Sequence, residues 1–249
     1  MPAHTALEWG IIFAAAFGSG FLVRTFGMGV GIALTPLLTL AFSARFSLGL
    51  IAFTSFLASL GMARDMWRLW HARTMLLVFP GTVAGILGGT WLVARLPESQ
   101  LRAVIGVLCL LFALHRLYAE LARPSPEPPR IPLWLGTLVG GLSGLSSALA
   151  NSGAVVLSLF LHSQNLSKTT LVATLWALYF FVNPIKLLAY WQADVIGAGT
   201  LWAGAAGLPF IWLGLRTGAW THNRLPLRAF NLIILAIALA GSIRLLAIR

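Results

Sequence analysis

Two short stretches hold the residues with the clearest chemical potential in this chain. Residues 24–36, RTFGMGVGIALTP, combine an arginine, glycines at every second position (Gly27, Gly29 and Gly31) and a proline. Residues 146–156, SSALANSGAVV, place Asn151, Ser152 and Gly153 in a similar setting. Both lie inside long apolar runs. Glycine tolerates the dihedrals of a break and a close backbone approach. A helix interrupted there directs free N–H groups and a partial positive charge at its surroundings, which favours an anion. Ser19, Thr25, Thr35, Ser143, Ser146 and Ser147 add hydroxyls nearby. Taken singly, such small residues also serve close helix packing. Their matched position in two parts of the chain points to a shared site.

Two basic residues also fall within apolar runs. Arg24 has no acid within a helical turn or two, so it either reaches the interface or serves an anionic pathway. Lys186, in FFVNPIKLLAY, follows a proline and precedes Tyr190-Trp191, an aromatic pair of interfacial type. Its expected behaviour is snorkelling to the membrane surface.

Other chemistries lack their parts. The six acids (Glu8, Asp65, Glu98, Glu120, Glu127 and Asp194) all fall at segment ends or in loops, which leaves a cation carrier or proton relay without a midplane carboxylate. The five histidines are also terminal, and the single cysteine, Cys109, reads as a small buried hydrophobe. No metal site, cofactor or catalytic set is expected. The +11 charge is scattered over short loops, as the positive-inside rule produces, and not gathered in a nucleic-acid-binding domain.

The elements that must position the two stretches are membrane helices. Of 249 residues 59% are hydrophobic and 9% charged, and the mean hydropathy is +0.89. A soluble domain cannot hide that much apolar surface, and the continuous runs exclude a β-barrel. Residues 7–42 as one helix would measure about 54 Å, against a hydrocarbon core of about 30 Å, so the chain must interrupt or double back. Apolar segments follow at 48–62, 76–94 and 101–117, then at 133–161 with a break, 170–190, 195–215 and 227–246. Between the halves, residues 119–132 hold five prolines and read as an extended linker outside the bilayer.

The halves, 1–118 and 133–249, read as copies. Arg45-Phe46-Ser47 echoes Asn165-Leu166-Ser167, which sets Thr54 opposite Thr174. Trp70-His71-Ala72 echoes Trp191-Gln192-Ala193, Gly85 corresponds to Gly207, and Leu101-Arg102-Ala103 to Leu227-Arg228-Ala229. Duplicated halves with one broken helix each are a transporter pattern. Four crossings per half would make the halves parallel. Doubling back at each break would leave three and make them inverted, which the length arithmetic favours.

A unit with a glycine-rich broken first helix ending in proline (GMGVGIALTP) and a Ser/Thr-bearing second helix opens each half. A basic turn, a third helix with GxxxG spacing (GTVAGILGGTW) and a Leu-Pro-x-x-x-Leu-Arg start to the fourth (LPESQLRAVIG) follow it. This order resembles the sulfite exporter TauE/SafE family, also called TSUP, over nearly the whole chain and most strongly in residues 10–118. The resemblance implies about eight membrane segments and movement of sulfite or organosulfonates, usually across a bacterial inner membrane. The family's glycine-rich break falls on Gly27, Gly29 and Gly31, with Asn151, Ser152 and Gly153 as its second copy. The second copy departs from the pattern: it lacks the run of glycines, and Ser158 stands where the first has Pro36. The resemblance assigns no role to Arg24.

The combined expectation is an all-α, multi-pass inner-membrane exporter or facilitator of small sulfur anions, with about eight segments in two four-segment halves. The first segment of each half is broken or re-entrant, and the basic turn 64–73 is cytoplasmic. The anion would be held by Arg24, Thr25, Gly27, Gly29, Gly31, Thr54, Asn151, Ser152, Gly153 and Thr174. Without a coupled ion, the membrane potential drives efflux, at about 2.3 kcal/mol per charge per 100 mV. A non-transporting accessory subunit and an intramembrane enzyme are the alternatives. A homo-oligomer is compatible with the GxxxG spacing at Gly81, Gly85 and Gly89, which serves packing within or between protomers.

Overall fold

Long apolar runs in lipid must satisfy their backbone internally, and the chain does so with helices. The computed structural model describes residues 5–26, 30–121, 131–222 and 227–247, and these are helical apart from short connections. The first half holds α1 (Ala6–Phe26), α2 (Val30–Ala41), α3 (Ala44–Met66), α4 (Ala72–Arg95) and α5 (Glu98–Leu121). The second holds α6 (Gly136–Ala150), α7 (Gly153–His162), α8 (Lys168–Gln192), α9 (Ala198–Ala206), α10 (Leu208–His222) and α11 (Leu227–Ala247). Among the described residues six helices are long and apolar enough to cross a membrane, or seven if α9 and α10 form one span. The expected single segment 195–215 is in fact this bent pair, which turns by 49°. Pro209, just past Gly207, lacks an N–H and disfavours a helical residue before it, so the helix breaks there.

The two ends of the bundle are built differently. At one end Glu98 accepts from the Ala44 N–H (2.6 Å), while Arg102 donates to carbonyls at the end of α2, to Thr39 (2.7 Å) and, just past the helix, Phe42 (2.9 Å). A carboxylate thus meets a helix N-terminus and a guanidinium a C-terminus, each favoured by the backbone partial charges. The Leu-Pro-x-x-x-Leu-Arg sequence therefore ties α2, α3 and α5 together. At the other end α3 runs into the basic turn, where Asp65 pairs with Arg24 of α1 at 2.6 Å.

Both broken segments are hairpins. In the second, the Ser143 hydroxyl donates to the Gly153 carbonyl (2.9 Å), Phe160 lies over Gly136, and the Gln164 amide donates to the Ile131 carbonyl (2.8 Å). So α7 returns along α6 to the Asp65 end, where α6 began. In the first, Leu34 packs back on Gly18, and α2 finishes under Arg102 at the Glu98 end. Helix α1 runs parallel to α10, from Phe13 stacked on Phe210 to Arg24 beside Gly218. The two hairpins therefore enter from opposite ends.

Close backbone approach fixes them. Along α4 and α6, a Cβ at Gly85 would strike the Gly141 carbonyl, and one at Gly144 the Thr82 carbonyl. The GxxxG spacing of Gly81, Gly85 and Gly89 thus serves packing within the chain, against α6. Helices α4 and α10, which hold the two hairpins, each carry a Trp-x-x-x-Arg pair facing outward. Arg95 lies 4.1 Å over Trp91 and Arg216 4.1 Å over Trp212, with both rings about half exposed. Aromatic and basic groups of this kind suit the two membrane–water interfaces.

Candidate functional site

The tips of the hairpins meet inside the bundle. After α6, Asn151 adopts a left-handed conformation (φ 52°), which asparagine tolerates better than most residues. Its N–H donates back to the Ser147 carbonyl (3.0 Å), and its side-chain amide donates to the Leu48 carbonyl of α3 (3.1 Å). The first-half tip touches it directly: a Cβ at Gly31 would overlap the Asn151 backbone, so only glycine fits. The expectation that the two breaks face one another is in this way seen at Gly31 and Asn151. Gly27 and Gly29 lie outside the described residues.

Below the tips, between α3 and α8, is a cavity of about 80 Å³. A single water needs roughly 10–15 Å³ on the same measure, so a small oxyanion has room. Helix α3 lines it with Ala52, Ser55 and Ser59, and α8 with Trp176, Tyr179, Asn183 and Lys186. Both sets follow the three-and-four spacing of one helix face. Ser147, Asn151, Gly31, Val30 and Ala154 close the tip side.

Lys186 corrects the sequence expectation. It is 2% exposed and does not reach the surface. Its ammonium donates to Asn151 Oδ1 (2.7 Å), Ser147 Oγ (3.2 Å) and the Ser147 carbonyl (3.3 Å). The broken end of α6 supplies three neutral acceptors, which keep the charge inside. Among the described residues no carboxylate pairs with it. Tyr190 is likewise fully buried, its hydroxyl donating to the Ala148 carbonyl, so the expected interfacial pair is reduced to Trp191. Around the same cavity, the side-chain amide of Asn183, 6% exposed, and the Ser55 hydroxyl have no hydrogen-bond partner among the described residues. Those donors face a space with an unpaired cation beside it.

The other expected site residues are more scattered. Arg24 does have an acid partner, Asp65, 41 residues away in sequence, at a partly exposed end of the bundle. Its neighbour Val23, not Arg24, lines the cavity. Thr25 donates to the Gly218 carbonyl (3.4 Å). Thr54 accepts from Ser19 (2.9 Å) and donates to the Leu50 carbonyl (2.9 Å), which spends it on joining α1 to α3. Thr174 accepts from the His71 N–H (2.9 Å) at the basic turn. Ser152 donates to the Ser146 carbonyl (3.3 Å), and Gly153 packs on Ser143 and Tyr179.

Register explains why Thr54 and Thr174 do not converge. Ser43 caps α3 by accepting from the Phe46 N–H (3.3 Å), and Ser167 caps α8 by accepting from the Thr170 N–H (3.1 Å). Aligning the caps moves the sequence pairing by one helical turn. Ala52, Ser55 and Ser59 then correspond to Trp176, Tyr179 and Asn183, the residues that line the cavity from either side. The signal missed in the sequence was the polar stripe Tyr179-x₃-Asn183-x₂-Lys186 within an apolar helix.

A family model described as "Sulfite exporter TauE/SafE" matches residues 12–245, nearly the whole chain. No curated protein and no solved structure matches.

Proposed function

The chain belongs to the sulfite exporter TauE/SafE family of membrane transporters, and we propose that it carries a small sulfur oxyanion or organosulfonate through the cavity between α3 and α8. The observation that carries this reading is Lys186, a buried cation with only neutral partners beside unspent donors. A buried charge without a counter-charge is costly, and an anion in the cavity relieves that cost. Lys186 supplies attraction, Asn183 and Ser55 donate to substrate oxygens, and Asn151 with Gly31 shapes the tip. Arg24, held by Asp65, stands at the end where α3 meets the basic turn and biases anions towards that mouth.

The opposed hairpins support inverted halves, 1–118 and 133–249, that rock about the central helices and expose the cavity to each side in turn. The protein then lies in the inner membrane with the basic 64–73 turn in the cytoplasm. With no midplane carboxylate among the described residues, net negative charge moves outward down the membrane potential.

The test is flux into proteoliposomes of purified protein, with labelled sulfite, a sulfonate and chloride, across an imposed potential. Selective, potential-driven movement of a sulfur anion, reduced by Asn151→Ala, is the expected result. Folded protein that moves none of these anions would overturn the reading.

A further inference from the structure

We infer that the cavity selects its substrate by charge, admitting a monoanion and rejecting a dianion of the same shape, with Lys186 as the residue that sets the limit. This rests on the reading of the cavity as an anion site and goes beyond it by assigning the charge state.

The argument is a count of charges around one enclosed space. Among the described residues lining the cavity, Lys186 is the only formally charged group. The titratable groups near it are Tyr179, which also lines the space, and Tyr190, whose ring lies 5.9 Å from the ammonium, and both are phenols. No histidine, arginine or carboxylate of α3, α6, α7 or α8 lines the cavity. Arg24 adds no charge to this space, since it does not line the cavity and its guanidinium is held by Asp65 at a partly exposed end of the bundle.

The backbone does not supply a second positive charge. The α6–α7 tip brings a helix C-terminus and a helix N-terminus together, so their partial charges largely offset. The ammonium already leans on the C-terminal side, through the Ser147 carbonyl. Much of the remaining wall is apolar: Val23, Val30, Ala52, Ala154 and Leu175. One negative charge is matched there and a second is not, and an unmatched charge in a low-dielectric space is strongly disfavoured. The same wall accepts a methyl group in place of a fourth oxygen. Hydrogensulfite and short sulfonates carry a single charge, and the sulfonates also offer this wall an alkyl group, whereas sulfate and fully ionised sulfite carry two charges.

Methanesulfonate and sulfate test this directly, since they are close in size, are both tetrahedral and differ in charge. Calorimetric titration of the full-length protein in detergent with each anion is the measurement, accompanied by flux of each in proteoliposomes. Methanesulfonate is expected to bind at least about 100-fold more tightly than sulfate. Lys186→Met, confirmed as folded by size-exclusion chromatography and circular dichroism, is expected to abolish methanesulfonate binding. Equal binding, or tighter binding of sulfate, overturns the charge limit while leaving the transporter reading intact. Sulfite flux without measurable methanesulfonate binding also overturns it, because the pathway then lies elsewhere. Folded protein that neither binds nor moves any of the anions overturns both. The wild-type comparison needs no variant, so a misfolded Lys186→Met protein leaves the inference falsifiable.

Discussion

Helices α3 and α8 line the same cavity from two sides, yet they carry different chemistry. Each starts on a serine cap, lies against a hairpin tip and turns a stripe of one face to the same cavity. With the caps aligned, Ser55 corresponds to Tyr179, Ser59 to Asn183 and Met62 to Lys186. The α3 stripe is small and weakly polar, and Met62 is buried among hydrophobic neighbours. The α8 stripe offers a free amide and a buried cation. The tips differ in the same sense: Gly31 contributes backbone alone, whereas Asn151 supplies the acceptor that holds Lys186. The two hairpins and the two serine-capped helices beside them frame one cavity. The charge that gives the cavity a preference exists in one copy only, because two ammonium groups in so small a space would repel each other as strongly as either attracts an anion.

The largest expected effect comes from erasing that difference. Lys186→Met makes α8 like α3 at this point, and anion flux should fall at least about 100-fold, as for loss of a buried charge that meets its ligand. Adding Met62→Lys returns the charge to the equivalent place on α3. Flux should stay low, since Ser147 and Asn151 are not there to orient it. Recovery would show that net charge suffices and that the two helices are interchangeable.

The tips give the next effect. Gly31→Ala drives a methyl group into the Asn151 backbone and parts the hairpins. A displacement of about 1 Å at a site can cost up to 100-fold, so a fall in flux of about 10- to 100-fold is expected. Gly10→Ala, where the added methyl group meets nothing within 4 Å, is the matched control.

A smaller contrast separates the stripes themselves. Asn183→Ala removes a free donor and should raise the apparent KM about 10-fold, the scale of one hydrogen bond to a charged partner. Ser59→Ala should change it by less than about 3-fold, because the Ser59 hydroxyl already donates to the Phe56 carbonyl. Similar values for the two would remove the asymmetry.

The smallest effect belongs to Arg24→Gln. Its ion pair with Asp65 is partly exposed, and such pairs contribute about 0–1 kcal/mol. Thermal unfolding should shift little. Flux should drop a few-fold at low salt and converge with wild type at high salt, where surface charges are screened.

Much of the fold was legible in the residues. The length of residues 7–42 required an interruption, and the Ala-Asn-Ser-Gly and glycine-rich runs marked where both breaks fall. Register was less legible. The echo of Arg45-Phe46-Ser47 in Asn165-Leu166-Ser167 lies one turn away from the pairing that the caps define, since apolar helices offer few landmarks and a shift of four residues keeps the same face. The ion pair of Arg24 was hidden for a related reason. Its partner is distant in sequence and near only once α1 lies along α3.

By itself the sequence determined that this protein is helical and membrane-embedded and where its apolar runs are broken, because hydropathy, helix rise and backbone freedom are local properties of the chain. It also gave no reason to expect carboxylate or metal chemistry at depth, because the six acids and five histidines fall at segment ends, in loops or in the tail. Only the tertiary structure decided what Lys186 does. A lysine six residues from the end of a helix reaches the surface or stays inside according to what its neighbours offer, and the acceptors that keep it inside come from Ser147 and Asn151, more than 30 residues earlier in the chain. The free energy of a buried charge depends on the few groups within its reach, and folding alone chooses those groups.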